Sequence, residues 1–417
     1  MPHVLLFIFY FFVFLLVLTA IIRAKKIDIP FRLTFFIFAY KVLMGCAYGY
    51  ILWKYYKGDD SWEFNRGSLI EHNRFIQQPV DFFRDLLYKP PLELKWYLNY
   101  LEYYSITKPL GIFNIFSHGN YYINVIFFDF ISIIGLLLLY KLLTRYFNEQ
   151  KKIIIAVLFF LPLTSFWLSG IRAEALLLLC ISVILYFTDK FINTKKKLIY
   201  PVYIIAAFAE CMILRGQMLL VLLPAFFCLA ISWKKPKWAV RYFCITYITG
   251  IIFFLGSMFI SKENNFATPI IKRQQEFLSL HANTVYKIDS LQPSAARFAK
   301  VLPQAFANSF LRPFVWEATG ALQLFTSFDI LLFWIILFVV IRFHKKNWEE
   351  TANNPLFLFF IFYGFTQIIL IGYVIPFPGA MVRYKSIPEL FLFLSLALMV
   401  NRKRICSKKE MQNRKNK

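Results

Sequence analysis

The chain has 417 residues, of which 59% are apolar and only 17% charged, whereas a soluble globular protein averages about 25% charged residues. Uncharged runs recur along its whole length, many near the roughly 20 residues that a helix needs to cross a bilayer. The formal net charge of +24 comes from lysines and arginines in short segments between these runs. This pattern is typical of cytoplasmic loops, so it excludes a nucleic-acid-binding protein and predicts an all-α, polytopic transmembrane bundle.

Eleven apolar runs are predicted to be transmembrane helices, because a backbone in lipid must satisfy its own hydrogen bonds. In chain order they are residues 3–22, 33–53, 121–140, 153–170, 173–188, 198–214, 218–233, 239–260, 321–343, 355–375 and 386–400. Six basic segments fall on one side of such a bundle, which makes that side cytoplasmic. They lie near residues 23–32, 141–152, 190–197, 234–241, 342–346 and 402–417. We therefore predict one integral membrane domain over 1–417, with a basic cytoplasmic tail over 401–417.

Two long loops, about 54–120 and 261–320, are predicted on the opposite, outer side. They hold twelve of the 23 acidic residues, eight in the first loop and four in the second. Both are rich in aromatic and apolar residues, which argues against disorder. Each contains an amphipathic piece that is either an interfacial helix or part of a small loop subdomain with its own core. These pieces are VDFFRDLLY, with Phe82, Phe83, Leu86 and Leu87 on one face, and SAARFAKVLPQAFANSFL, with Phe298, Val301, Leu302, Phe306 and Phe310.

The stretch YYKGDDSWEF places Asp59 and Asp60 just beyond the second predicted span, on the outer side. Two interpretations are open. KGDD has the composition of a solvated turn. Alternatively, the paired carboxylates act as a general base or bind a divalent metal ion through their oxygens.

Every outer turn also carries an arginine, although positive charge is disfavoured on that side. The guanidinium fork matches phosphate oxygens. Beside outer carboxylates, these arginines suit a substrate that is a phosphate on a lipid, whereas each one singly is explained by a headgroup contact or an ion pair. The candidate substrate-binding residues are Arg172, Glu174, Arg215, Arg312, Glu317, Arg383, Tyr384 and Lys385.

Three charged residues, Lys41, Asp129 and Asp329, lie near the middle of predicted spans, where each costs roughly 2.5–3.5 kcal/mol on insertion scales. A structural pair of Lys41 with one of the aspartates accounts for them. The alternative is a path for protons or ions.

Four short patches carry a resemblance to a known family. They are KVLMGCAYGYILWKYYKGDDSWEF, SGIRAEALLL, LRPFVWE and GAMVRYKSIP. With the acidic motif in a large first outer loop and the multi-span apolar core, they resemble class-C glycosyltransferases of bacteria, membrane enzymes that take a sugar from a polyprenyl-phosphate carrier.

The resemblance implies an inverting sugar transfer on the outer face of a bacterial inner membrane, with the lipid bilayer and a polyprenyl-phosphate sugar as partners. Asp60 would accept the proton of the acceptor hydroxyl, with Asp59 as the second candidate. The donor phosphate would be held by Arg172, Arg215, Arg312 and Arg383. Glu174 or Glu317 would orient a sugar.

Other functions stay open at this point. A polysaccharide polymerase or ligase would share the outer arginines and large loops without depending on Asp59 and Asp60. A transporter or flippase of lipid-linked glycans should show internal repeats, Gly- or Pro-broken spans and midplane charges; the sequence has no repeat. An inert assembly subunit would need only neutral outer loops.

Overall fold

The computed structural model describes residues 2–84, 94–194, 197–260, 265–280, 284–344 and 348–400. Helices dominate these ranges, which contain no β-strand, so the predicted all-α class is confirmed. Several predicted features lie outside the described residues. They are the basic tail 401–417, Leu86 and Leu87, and parts of the basic loops at 195–196 and 345–347.

The chain divides into two compact units, of which unit 1 comprises Met1–Lys151 and Leu158–Leu219. Its first helices cover the first two predicted spans and the long loop that follows the second one. These are α1 (Pro2–Ala24), α2 (Phe31–Tyr56), α3 (Asp60–Gln77), α4 (Pro79–Arg84), α5 (Leu94–Ser117) and α6 (Tyr121–Tyr146). They are followed by α7 (Lys151–Phe160), α8 (Pro162–Trp167), α9 (Ala173–Asn193) and α10 (Ile199–Arg215). Residues 152–157 of α7 are assigned to unit 2.

Unit 2 comprises Lys152–Val157 and Leu220–Lys417. Its helices include four of more than 18 residues, α12, α15, α17 and α18. In chain order the helices are α11 (Leu219–Lys234), α12 (Ala239–Ile260), α13 (Thr268–Leu278), α14 (Ala295–Phe306), α15 (Ala321–Phe343), α16 (Trp348–Ala352), α17 (Pro355–Val374) and α18 (Pro378–Met399).

Within the described ranges, eight helical segments are long and apolar enough to cross a membrane. Three features of the helices explain why this number is smaller than the eleven predicted spans. Pro162 ends α7 and begins α8, so the run 153–170 becomes two short helices. The runs 198–214 and 218–233 count as one continuous segment, Ile199–Lys234. Finally, α18 is long enough to span but carries Arg383, Lys385 and Glu389.

The first predicted outer loop folds into helices with a buried polar interior. Lys108 of α5 is 3% exposed, and its Nζ donates to Glu71 Oε2 of α3 at 2.8 Å and to the Phe82 carbonyl oxygen at 2.6 Å. Phe82 itself is buried, whereas Phe83 is exposed. A buried ion pair that also satisfies a backbone carbonyl fixes three helices to one another. This loop is therefore folded as a packed part of unit 1.

The amphipathic segment of the second loop is likewise packed against protein. On α14, Phe298 and Val301 are buried, whereas Leu302 is exposed. The Tyr373 hydroxyl of α17 donates to the Phe298 carbonyl oxygen at 2.8 Å. Its apolar face therefore contributes to the core of unit 2, in contact with α17.

Candidate active site

The turn between α2 and α3 displays the aspartate pair. Gly58 adopts φ +105°, a conformation that glycine tolerates without strain. Asp59 is the N-cap residue of α3, and its Oδ1 accepts hydrogen bonds from Ser61 N at 3.1 Å and from Ser61 Oγ at 2.6 Å. Asp60 is the first residue of α3 and is exposed. Both interpretations of KGDD therefore apply. Asp59 caps a helix after a turn, and Asp60 presents a carboxylate at the positive end of that helix.

Asp59 also connects this turn to the interior of unit 1. Its Oδ2 accepts a hydrogen bond from the hydroxyl of Tyr48, a buried residue two turns earlier on α2. Arg172 Nη1 lies 3.6 Å from the same oxygen and donates to the Tyr48 hydroxyl. The carboxylate, the hydroxyl and the guanidinium group therefore form one triangle.

Arg172 is the N-cap residue of α9 and is only 2% exposed. Its guanidinium group lies over the Tyr48 ring at 4.6 Å and the Trp167 ring at 5.4 Å, and Nε donates to Glu174 Oε2 at 3.2 Å. Nη2 is buried and has no hydrogen-bond partner among the described residues. A buried arginine needs such partners, so this amino group has hydrogen-bonding capacity that the described residues do not use.

The backbone before Arg172 is held by the charged pair that the sequence predicted within the spans. Lys41 Nζ donates to the carbonyl oxygen of Leu168, and Gly170 N donates to Asp129 Oδ1 at 2.8 Å. Both side chains are buried and interact electrostatically with each other. Lys41 and Asp129 thus bind the same turn, at 168–170, from two sides, and each contacts its backbone rather than the other side chain directly. Lys41 and Asp129 fix the position of Arg172.

The network extends to α10 and α5. Arg215, the last residue of α10, donates from Nη2 to Glu174 Oε1 at 3.4 Å and from Nη1 to Glu102 Oε1. Asp59, Arg172, Glu174, Arg215 and Glu102 therefore alternate in sign. Three carboxylates and two guanidinium groups give a formal charge of −1 (2 − 3). We call these five residues, with Tyr48, the Arg172 network.

Aromatic rings stand next to this network. The Trp62 ring of α3 stacks on the Tyr121 ring of α6 with centroids 3.9 Å apart and planes 10° apart. Trp62 also contacts Trp53, whose ring centroid is 4.7 Å away and which is half-exposed. The Tyr121 hydroxyl is 2.9 Å from Ser61 Oγ. The turn that carries the aspartates is therefore held by rings on one side and by charges on the other.

The candidates Arg312 and Glu317 form a separate ion pair in unit 2. Arg312 Nη2 donates to Glu317 Oε1 at 2.7 Å and Nε to Oε2 at 3.0 Å, and the guanidinium group lies over the Tyr286 ring at 4.4 Å. The hydrogen bonds from Arg312 lower the pKa of Glu317 below its ordinary value. Burial raises the pKa of Tyr286.

The last three candidates are consecutive residues of α18. Arg383 and Tyr384 are half-buried, with the guanidinium carbon 5.8 Å from the tyrosine ring centroid. Lys385 is only 1% exposed, and its Nζ lies 3.5 Å from Glu389 Oε1. Consecutive helical residues face different directions. The predicted group of three thus divides into a half-buried pair and a buried ion pair.

The structure joins Asp59, Arg172, Glu174 and Arg215 in one network, and it joins Arg312 with Glu317 in another contact. The sequence prediction missed Tyr48 and Glu102. Tyr48 is one of several aromatic residues within an apolar run, and Glu102 is one of eight acids in its loop. Neither position carries a local signal, since their roles arise from packing of helices that are distant in sequence.

Metal binding was an open alternative for Asp59 and Asp60. Over the described ranges, no group of three or more His, Cys, Asp or Glu side chains has the arrangement to hold a metal ion.

The chain was compared with protein-family models, with curated proteins and with solved structures, and none of the three comparisons finds a match. The resemblance to class-C glycosyltransferases therefore stays a prediction carried by the four patches.

Proposed function

We propose that this chain transfers a sugar from a polyprenyl-phosphate-linked donor to a glycan, lipid or protein acceptor at the non-cytosolic face of a bacterial inner membrane. The observation that carries the proposal is the attachment of the Asp59–Asp60 turn to the Arg172 network. It puts an exposed carboxylate next to a partly buried one that is held by a tyrosine and an arginine.

Asp60 is the proposed general base. It is exposed at the start of α3, so an acceptor hydroxyl can reach its carboxylate. Asp59 has the supporting role, since its oxygens already accept hydrogen bonds from Ser61 and Tyr48. A general base that removes the hydroxyl proton during transfer is typically worth about 10²–10⁴-fold in rate.

Arg172 is the proposed ligand of the donor phosphate, through its unpartnered Nη2. A donor fixed before the reaction stabilises the charge that develops on the leaving phosphate. Arg215 is paired with Glu102 and Glu174, so a donor phosphate would have to displace one of these carboxylates to bind it. Glu174 is a proposed sugar ligand.

The remaining candidates, Glu317, Arg312, Arg383, Tyr384 and Lys385, belong to unit 2, and their role in donor binding stays a prediction from the sequence. Arg312 and Arg383 place guanidinium groups in partly exposed positions. A ligand phosphate at Arg312 would compete with Glu317 for the same fork.

A transporter of lipid-linked glycans is the second candidate function, and a separate observation favours it. Asp329, Lys385 and Glu389 are buried within helices α15 and α18 of unit 2. Buried charges within spans often mark ion or proton pathways.

The test is donor turnover by the full chain in lipid nanodiscs. Radiolabelled polyprenyl-phosphate and polyprenyl-diphosphate sugars are supplied separately, with a bacterial membrane extract as the source of acceptor, with and without a chelator. We expect label from the monophosphate donor to appear in a new product, and Asp60→Asn to lower its rate at least about 10²-fold. The matched control is Glu63→Gln, which removes an exposed acid one turn further along the same helix.

The outcomes separate the candidate functions. Product formation that needs Asp60 and not Glu63 supports the transferase. Transfer that is unaffected by Asp60→Asn, in a protein that still folds, would point to the polymerase or ligase alternative. Movement of labelled lipid between leaflets without a new product would instead support the transporter.

A further inference from the structure

Unit 2 contains a second cluster of ionisable groups, which we call the α15–α18 trio: Asp329, Lys385 and Glu389. Their exposed fractions are 5%, 1% and 5%. Lys385 Nζ lies 3.5 Å from Glu389 Oε1, and the Asp329 carboxyl interacts with both of the other groups. Two carboxyl groups thus share one ammonium group in an interior formed largely by apolar side chains.

A small cavity adjoins the trio. It has room for about one water molecule and is lined by Lys385, Glu389 and Ser309 together with apolar side chains. Ser309 Oγ donates to the Ala305 carbonyl oxygen at 2.8 Å, which leaves the oxygen itself able to accept a hydrogen bond. Glu389 Oε2, on the cavity wall, and Asp329 Oδ2 are buried oxygens without a hydrogen-bond partner among the described residues. The cavity is too small for a phosphate or a sugar as it stands.

The formal charges of the trio do not balance if all three groups are ionised. One ammonium group offsets one carboxylate and leaves a second carboxylate buried beside the first, and two like charges this close do not both ionise in a low-dielectric interior. The charged groups that act on Asp329 are Glu389 and Lys385. The other residues that line the adjoining cavity are neutral, namely Ser309 and apolar side chains, and Arg312 is paired with Glu317. One proton restores neutrality.

We propose that Asp329 and Glu389 together bind one exchangeable proton, with Lys385 as the fixed counter-ion and the cavity as the place where a water molecule delivers it. The ligand is a proton, and binding it converts one carboxylate oxygen into a hydroxyl donor for the other carboxylate. This site goes beyond sugar transfer and does not rest on it.

The test uses N,N′-dicyclohexylcarbodiimide, a lipophilic reagent that labels protonated carboxyl groups in apolar surroundings. The carboxyl proton moves to a reagent nitrogen, the carboxylate oxygen adds to the central carbon, and rearrangement leaves a stable N-acylurea. The full chain in detergent is labelled across a range of pH, and peptide mass spectrometry locates the adduct. Infrared difference spectra report the carbonyl band of a protonated carboxyl group without any need for reagent access.

We expect one adduct per chain, divided between Asp329 and Glu389. Either Glu389→Gln or Asp329→Asn should lower labelling of the remaining carboxyl group at least about tenfold, the effect of a pKa shift of one unit, because that group then forms a simple ion pair with Lys385. Both substitutions should also remove the infrared band. Lys385→Met should raise labelling above one adduct per chain. Asp129→Asn, at another buried carboxyl group in unit 1, should leave labelling of the trio unchanged.

Three results would overturn the proposal. One is unchanged labelling of the remaining carboxyl group in both single variants. Another is a wild-type infrared spectrum with no protonated carboxyl band that either substitution removes. The third is protection from labelling by Na⁺ at constant pH, which would make a metal cation the ligand. If Lys385→Met fails to fold, the two carboxyl variants still decide the question.

Discussion

The two charge clusters both combine acids with bases and arrange them differently. In the Arg172 network, acids and bases alternate from Asp59 to Glu102. In the α15–α18 trio, two acids adjoin one base. Both clusters have a formal charge of −1, but in the network each acid lies against a base, whereas in the trio the two carboxyl groups also act on each other. The first pattern is therefore suited to fixing groups in position, and the second to binding something that removes the excess charge.

Position along the helices adds to the contrast. Asp59 and Arg172 are N-cap residues, and Arg215 ends α10. Helix ends leave backbone groups available for side chains, as Ser61 N is for Asp59. Lys385 and Glu389 lie inside α18, where the backbone is already hydrogen-bonded. The interior of a helix gives buried charges fewer partners, which explains the unpartnered oxygens of the trio.

Removal of the Arg172 guanidinium group should have the largest effect on the Arg172 network. Arg172→Met leaves Asp59 and Glu174 without their shared partner, and breaking a buried pair typically costs about 3–5 kcal/mol. We expect a loss of this size in the free energy of unfolding, measured in mixed detergent micelles. Arg66→Met is the control, because the Arg66–Glu63 pair is more than half exposed and should contribute less than about 1 kcal/mol. Equal losses in the two variants would contradict the structural role of the network.

The support of the 168–170 turn offers a second test. Lys41→Met removes a hydrogen bond from a charged donor, worth about 1.5–3 kcal/mol, and leaves Asp129 without its cation. The double variant Lys41→Met/Asp129→Asn should cost less than the sum of the two single variants, with a coupling of about 0.5–3 kcal/mol. A double-mutant cycle on unfolding free energies measures this coupling. Simple additivity would show that the two groups do not act on the turn together.

The close approach of α2 to this turn predicts a smaller effect. A Cβ atom at Gly45 would lie 2.7 Å from Val125 Cγ1 and 3.0 Å from Gly170 N, so Gly45→Ala should destabilise by about 1–3 kcal/mol through overpacking. Gly250→Ala is the matched helical control, since no described atom lies within 4 Å of its Cβ position, and it should be neutral or stabilising by up to about 1 kcal/mol. Unfolding midpoints of both variants compare them, and a tolerated alanine at residue 45 would argue against tight packing there.

The Arg312–Glu317 pair should show the smallest effect, because both side chains are partly exposed. The pKa of Glu317 is lowered in the folded protein, so its stabilisation is complete above the ordinary value of 4.5 and is lost as the pH falls through the lowered pKa. Arg312→Gln should therefore cost up to about 1 kcal/mol at neutral pH and progressively less below pH 4.5. Unfolding at several pH values tests this, and a cost that grows on acidification would have the wrong sign.

Apolar periodicity and length predicted the long helices because those features are local. The predicted span 321–343 coincides with α15, and 355–375 differs from α17 by one residue. The run 153–170 was predicted as one helix, but Pro162 has no N–H to continue it, and two short helices result. The long loop could not be resolved from its sequence, since Lys108 and Glu71 pair across 37 residues.

The sequence was sufficient to select most charged residues of the candidate site, but not to predict which of them contact one another. Asp59, Arg172, Glu174 and Arg215 were selected as charges near the same ends of predicted spans, a property that hydropathy shows directly. Tyr48 was missed because a tyrosine in an apolar run is ordinary, and only the packing of segments that are distant in sequence brings its hydroxyl to Arg172. Lys385 was predicted as a donor contact; its pairing with Glu389 was missed, although the spacing of four residues along α18 places the two side chains together.

Buried amides link the helix that begins at Asp60 to α5 and α6. Asn124 Nδ2 donates to Asn65 Oδ1 at 2.9 Å and to Asn114 Oδ1 at 2.8 Å, and Asn114 Nδ2 donates to Ser68 Oγ at 2.9 Å. Opening α3 would break all of these hydrogen bonds together. We therefore expect the backbone amides of α3 to exchange with deuterium as slowly as those of α6. A substrate would then meet a preformed surface, with little entropy left to lose on the protein side of the encounter.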